Sequence, residues 1–236
     1  NDDKKTSFNQ INKKINVEKY SLGSNNWAIS GKKSFNGYPI LANDPHRSIA
    51  VPSLRYLTHL VSPSWNVIGG GEPEIPGISI GHNEHGAWGL TVFRTDAEDL
   101  YIYDVNPENK NMYWHNNKWL EFETIVENIK IKDAETKEIE LKYSVHGPVT
   151  LIDTIDNRAY AVKCGWLEIG GSPYLASLRM DQAKTWEEFR DACNYSNIPG
   201  ENMVWADKYG NIGWQAVGII PLRNNHSGVV PVLLFI

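Results

Sequence analysis

The chain has 236 residues, enough for one large domain or two small ones, and its 41% hydrophobic and 22% charged residues are an ordinary globular composition rather than a disordered or fibrous one. A formal net charge of −5 gives no reason to expect a nucleic-acid partner, and no apolar run is long enough to cross a bilayer as a helix. Nine Trp and eleven Tyr suit a β-rich protein with a heavy aromatic core.

Residues 1–22 are rich in Lys, Asn and Asp, with apolar residues scattered singly, and read as a linker or a weakly amphipathic helix end. Asn1 to Lys14 is polar and shows no signal-peptide pattern, which fits a cytosolic protein or a sequence that starts downstream of its real beginning. The character changes at Leu22-Gly23-Ser24. Trp27 to Ser30 reads as a short strand, Asn36-Gly37 as a hairpin turn, and Pro39 to Ala42 as the returning strand, which puts Ser24 at the start of a hairpin.

Further strands are predicted at Trp65–Ile68, Ile78–Ile80, Ala87–Val92 and Leu100–Val105. Asn116-Asn117 joins Tyr113–His115 to Lys118–Leu120 as a hairpin. Ile125–Lys132 and Glu138–Ser144 alternate as a half-buried pair, and Tyr160–Trp166 follows as another strand. Glu168–Ala192 is the helical region, with Thr185 as an N-cap and Glu188 three residues on. Met203–Ala206 and Ile212–Ala216 are strands joined by the turn Lys208 to Asn211. The two cysteines, Cys164 and Cys193, match no metal-ligand spacing; one disulfide or two free thiols are both open. His82 and His85 flank Glu84, but spacing supplies no third ligand, so two loop histidines account for them better than a metal site.

The chemistry concentrates at Gly23-Ser24. A serine hydroxyl is a weak nucleophile and needs a base. A cut before Ser24 would free an α-amine on the same residue, and such an amine, with a pKa of roughly 7.7–8, is partly neutral near neutral pH. Nucleophile and base would then share one residue, with a bridging water between them. Gly23 presents no Cβ to block attack on its carbonyl and tolerates the strained backbone of an acyl shift. The one G-x-S-x-G stretch, Gly77-Ile78-Ser79-Ile80-Gly81, falls on the predicted strand Ile78–Ile80 and not on a strand-to-helix elbow, so a Ser-His-Asp hydrolase has no support.

Ser24 to Gly31, followed by Leu41-Ala42-Asn43-Asp44-Pro45-His46, closely resembles the start of the nucleophile-bearing β chain of the penicillin acylase family of N-terminal-nucleophile hydrolases. Further matches run in family order: Gly81-His82-Asn83, Ala87 to Thr91, Asp96 with Glu98 to Tyr101, His146 to Val149, Glu201 to Asp207, Gly210 to Gly213, and Gly218 to Arg223. The resemblance covers about residues 20–230.

It implies an α+β fold, the four-layer αββα sandwich of those hydrolases, with Ser24 at the end of a central strand. Residues 1–23 become a spacer released on processing and 24–236 the front part of a β chain. An α chain from the same precursor is the implied partner and source of acyl-pocket residues. The implied activity is hydrolysis of linear amides through an acyl-ester on Ser24. Backbone N–H of Val92 and the Asn202 amide become oxyanion donors. His46, at a position where penicillin G acylases can carry glutamine, would orient the nucleophile, and Arg223 would hold Asn202 and Ser24. Asp96, Glu98 and Asp99 resemble part of a structural Ca²⁺ site. The location implied is the periplasm or outside the cell. An acyl-homoserine-lactone or lipopeptide acylase, and a catalytically inactive fragment or binding module, remain the alternatives. Leu233 to Ile236 departs from the family's pattern, as a truncated or frame-altered end would.

Overall fold

Period-two alternation dominates residues 23–47, 49–171 and 175–234, the residues that the computed structural model describes. The expected linker at 1–22 lies outside them. The chain divides into two compact units: one holds the described residues up to Arg94 and those that end at Gly218, the other Thr95–Gly171 and the described residues from Ile219.

In the first unit, β1 (Ser24–Ile29) pairs antiparallel with β2 (Ile40–Pro45). The connection is longer than the two-residue turn expected at Asn36-Gly37, because a 3₁₀ turn at Gly31–Lys33, capped by Ser30, comes first. The main sheet has six strands: β3 (Tyr56–Ser62), β4 (Trp65–Gly71), β5 (Ile80–His82), β6 (Gly86–Val92), β14 (Glu201–Asp207) and β15 (Ile212–Val217), in the order β15-β14-β6-β5-β4-β3. The sequence gives little sign of β3, an edge strand whose residues are nearly all exposed. Its alternation therefore carries no apolar stripe.

The helical region is shorter than predicted. It consists of one turn, α1 (Ser177–Met180), and α2 (Trp186–Cys193), and Gly165–Leu167 forms a 3₁₀ turn ahead of them. The Thr185 cap is as expected: its hydroxyl accepts from Glu188 N–H. Alternation along β14 sends Met203 and Trp205 to the face where Phe189 and Ala192 of α2 pack, and Trp88, Trp205 and Phe189 are fully buried there. Trp88 and Trp205 stack with ring centroids 6.4 Å apart.

The other face of the sheet carries the β1–β2 hairpin. Gly89 on β6 makes this close approach possible. A Cβ there would come within 2.9 Å of Cβ and Cγ of Asn43 on β2. Gly89→Ala is expected to destabilise the chain by about 1–3 kcal/mol, the usual cost of overpacking, read as a lower urea midpoint with an unchanged slope.

The second unit is a six-stranded sheet in the order β10-β11-β12-β13-β7-β16. Its strands are β7 (Glu98–Asp104), β10 (Glu123–Ile129), β11 (Lys137–Ser144), β12 (Gly147–Asp153), β13 (Arg158–Cys164) and β16 (Val232–Leu234). A separate hairpin, β8 (Met112–His115) and β9 (Lys118–Glu121), turns at Asn116 and Asn117, whose φ angles are 48° and 61°. Two successive positive φ values are what a twisted two-residue hairpin requires. Tyr101, Tyr103, Tyr113 and Phe122 form the core with Ala159 and Ala161. Cys164 and Cys193 are both free thiols. Among the described residues no helix is long and apolar enough to cross a membrane.

Candidate functional site

Ser24 opens β1, opposite Pro45. The ladder runs one rung beyond the strand: His46 N–H donates to the Gly23 carbonyl oxygen at 2.9 Å. Antiparallel pairs alternate between bonded and non-bonded, so Ser24 and Pro45 form a non-bonded pair. That explains two things. Pro45 has no N–H to give and costs no rung there. The Ser24 nitrogen points away from β2 instead of into the ladder. Ser24 Oγ donates to the Gly23 carbonyl oxygen at 2.6 Å. The hydroxyl therefore lies against the peptide group that a self-cut would break, and a backbone donor already polarises that carbonyl.

The His46 ring lies beside Gly23: a Cβ on Gly23 would be 3.6 Å from its Nδ1. Its Nε2 is 3.2 Å from Asp44 Oδ2. His46 thus contacts Gly23 through its backbone N–H, and its ring lies on the side where a Gly23 side chain would stand.

Asn202 lies on β14, on the face that carries the hairpin. Asn26, two residues along β1 from Ser24 and on the same face, donates from Nδ2 to the Asn202 carbonyl at 3.1 Å. This bond ties the strand of the candidate nucleophile to the strand of the candidate oxyanion donor. The Asn202 amide nitrogen donates to the Val92 carbonyl at 3.2 Å. Its oxygen accepts from the Trp214 indole N–H at 3.1 Å. An amide nitrogen has two hydrogens, so one remains for a ligand.

Val92 pairs with Glu201, and the next residue, Phe93, donates its N–H to Gly200 at 2.9 Å. By the same alternation the Val92 N–H turns away from β14 and is not consumed in that ladder. Ser24, His46, Val92 and Asn202 thus share one unit, linked through Asn26. Sequence reasoning missed Asn26 and Trp214. The period of two could have found Asn26, because it shares a face with Ser24.

Arg223 belongs to the second unit. Its Nε lies 3.0 Å from both carboxylate oxygens of Asp99, its Nη1 3.2 Å from Asp96 Oδ2, and a terminal nitrogen donates to the Asp96 carbonyl at 2.9 Å. The role implied for Arg223, holding Asn202 and Ser24, is carried by none of these contacts.

The acids of the calcium expectation lie among these contacts. Glu98 and Asp99 are consecutive on β7 and face opposite sides, and Glu98 accepts instead from Cys164 Sγ at 3.4 Å. Asp96 and Asp99 share the single positive charge of the Arg223 guanidinium. Among the described residues no group of three or more His, Cys, Asp or Glu is clustered as around a metal ion.

The His146-Gly147 motif takes a place in the second unit's aromatic core. His146 stacks on Tyr101 at 3.7 Å and bonds the Tyr103 hydroxyl through Nδ1. Burial pushes its pKa down to about 4, so it is neutral at physiological pH.

Two buried carboxyls stand out in the first unit. Asp181 is 4% exposed; its Oδ2 accepts from Ile78 N–H at 3.0 Å, and Oδ1 is buried without a partner among the described residues. Glu201 is also 4% exposed and faces the side opposite Asn202. Burial pushes both up to about 7; the Ile78 N–H offsets part of this for Asp181, and Arg55 and Arg47 offset part for Glu201. Both folded pKa values lie above the unfolded ones. The protonated forms therefore favour the fold at low pH, and that stability is lost as pH rises from about 4 through about 7. Relative to Asp181→Asn or Glu201→Gln, the wild type is expected to lose roughly 2–4 kcal/mol per carboxyl between pH 4 and 8, measured by urea unfolding at each pH.

Comparison with known proteins adds the family. The family model described as penicillin amidase matches residues 2–233. The chain belongs to the penicillin amidase family. It is 28% identical over 214 residues to penicillin G acylase of Escherichia coli, covering 90% of this chain and 25% of that protein. It is 28% identical over 221 residues to an acyl-homoserine lactone acylase, QuiP, of Pseudomonas aeruginosa, covering 88% of this chain and 26% of that protein. Among solved structures, a thermostable penicillin G acylase from Alcaligenes faecalis matches with a TM-score of 0.82 at 30% identity, over 89% of this chain and 38% of the other. The fold is therefore the expected α+β sandwich of the N-terminal-nucleophile hydrolases, in part: the chain spans about a quarter of the length of these curated relatives.

Proposed function

We propose that this chain is the nucleophile-bearing segment of an amidase that cuts itself between Gly23 and Ser24 and then hydrolyses linear amides through an acyl-ester on Ser24. One observation carries the reading: Ser24 Oγ donates to the Gly23 carbonyl at 2.6 Å while His46 N–H holds the same oxygen at 2.9 Å. Attack by Oγ on that carbonyl carbon moves the acyl group from nitrogen to oxygen and leaves an ester with a free α-amine. Water then hydrolyses the ester and releases Gly23 as a carboxylate.

In turnover, the neutral amine of Ser24 takes the Oγ proton through a bridging water, and Oγ attacks the substrate amide. The Val92 N–H and the second hydrogen of Asn202 Nδ2 receive the oxyanion. The substrate nitrogen leaves with the proton. Water, deprotonated by the same amine, hydrolyses the acyl-ester. Before the cut, His46 N–H holds the Gly23 carbonyl beside Ser24; after it, His46 stays next to Pro45, the residue opposite Ser24 on β2. No step runs through calcium.

Histidine at position 46 favours the broader acylase reading, cephalosporin or acyl-homoserine-lactone type, over a narrow penicillin G type, and the relatives include both an acylase of penicillin G and one of acyl-homoserine lactones. A separate α chain from one precursor completes the enzyme, in the periplasm or outside the cell. The test is intact mass and N-terminal sequencing of the expressed full-length precursor. A product chain beginning Ser-Asn-Asn-Trp is expected. A folded precursor that keeps the Gly23–Ser24 bond overturns the reading in favour of a binding module or inactive fragment.

A further inference from the structure

Trp214 is 60% exposed, although Trp88 and Trp205 of the same sheet are fully buried. Core packing therefore does not explain it. On β15 it stands opposite Val204, while Asn202 stands opposite Ala216. Trp214 and Asn202 are diagonal neighbours on one face, within reach of a long side chain. The indole Nε1–H donates to Asn202 Oδ1 at 3.1 Å, and Asn202 Nδ2 donates to the Val92 carbonyl at 3.2 Å.

An indole N–H only donates and a backbone carbonyl only accepts. Together they fix which way round the amide sits. Turned by half a rotation, Asn202 would set its NH₂ against the indole N–H and its oxygen against the Val92 carbonyl, losing both bonds and gaining two repulsions. Asn26, which holds the Asn202 carbonyl at 3.1 Å, fixes the backbone but not the amide's sense.

We propose that Trp214 is a positioning residue: its indole N–H keeps the Asn202 amide turned so that the second Nδ2 hydrogen meets the oxyanion. This rests on the acyl-transfer reading above. Trp214 touches no reacting atom in this scheme and acts through Asn202.

The experiment uses the processed full-length protein and a p-nitroanilide amide that the wild type hydrolyses. Trp214→Phe, Asn202→Ala and the double variant are compared, with Ser24→Ala as the control for the function itself. Trp214→Phe is expected to lower kcat about five- to tenfold, the worth of one hydrogen bond, with KM nearly unchanged. In the Asn202→Ala background the same change is expected to do nothing, because the amide it positions is gone. A Trp214→Phe enzyme with wild-type kcat overturns the proposal. So does an equal loss with and without Asn202, which would mark a merely structural role. If Trp214→Phe fails to fold or process, Trp214→Leu, which also lacks the donor, takes its place in the same cycle. Wild-type hydrolysis that survives Ser24→Ala sinks the acyl-transfer reading and this inference with it, whereas Ser24-dependent hydrolysis indifferent to Trp214 sinks the inference alone.

Discussion

With Ser24 replaced by alanine, the precursor is expected to stay whole and amide hydrolysis to fall to background, a loss of about 10⁴-fold or more. The two losses have one cause. The Ser24 hydroxyl is the group 2.6 Å from the Gly23 carbonyl oxygen, so its removal takes away the atom proposed to accept the Gly23 acyl group. Without the cut there is no α-amine, and without the hydroxyl there is no nucleophile for that amine to activate. The fold should be indifferent: Ser24 is half-buried at a strand end and its hydroxyl bonds only to the adjacent carbonyl. Mass spectrometry reads the first loss, amide turnover the second, and an unchanged circular dichroism spectrum excludes misfolding. An alanine variant that still splits between residues 23 and 24 would show that another group makes the cut.

Asn202→Ala is expected to lower kcat by about 10²–10³, with a much smaller change in KM. The oxyanion exists only along the acyl-transfer path, so a donor aimed at it acts on the transition states more than on the bound substrate. Asn202→Asp separates donor from acceptor. The carboxylate still accepts from the Trp214 indole, but it has no hydrogen to offer and sets a negative charge where another forms. Its kcat should be no higher than that of the alanine variant. An aspartate variant that retains most of the turnover would show that Asn202 serves as an acceptor and would remove it from the oxyanion site.

Much of this could be read from residue order. Alternation located most strands, the Thr185 cap marked where α2 begins, and the motif resemblance placed Ser24, His46, Val92 and Asn202, which the structure links within one unit. The misses have physical causes. β3 is exposed on both faces, so its residues carry no buried stripe, and β16 is a three-residue strand held parallel to β7 by pairing rather than pattern. The helical region is shorter than expected because residues 181–185 link α1 to α2 without continuing either helix, which composition alone does not reveal. Arg223 shows the limit most clearly. Its chemistry suits several acidic or amide partners, and only the fold discloses that Asp96 and Asp99 hold it. Trp214 carried no signal at all, because a diagonal pair across two strands depends on register.

The Gly23–Ser24 peptide bond adjoins the terminal rung of the β1–β2 hairpin, the hydrogen bond from His46 N–H to the Gly23 carbonyl, and under the proposed self-cut this shapes what would be left behind. Chain ends usually fray. Here the new end would begin at Ser24, and β1 would remain paired with β2 from Asn25↔Asp44 to Ile29↔Ile40, pinned to β14 by Asn26. The amine would be born already anchored, so little ordering entropy stands between scission and the first turnover. At the same moment the His46 N–H would lose the Gly23 carbonyl as its acceptor. Maturation would then free one backbone donor, the His46 N–H, beside a serine that stays in place.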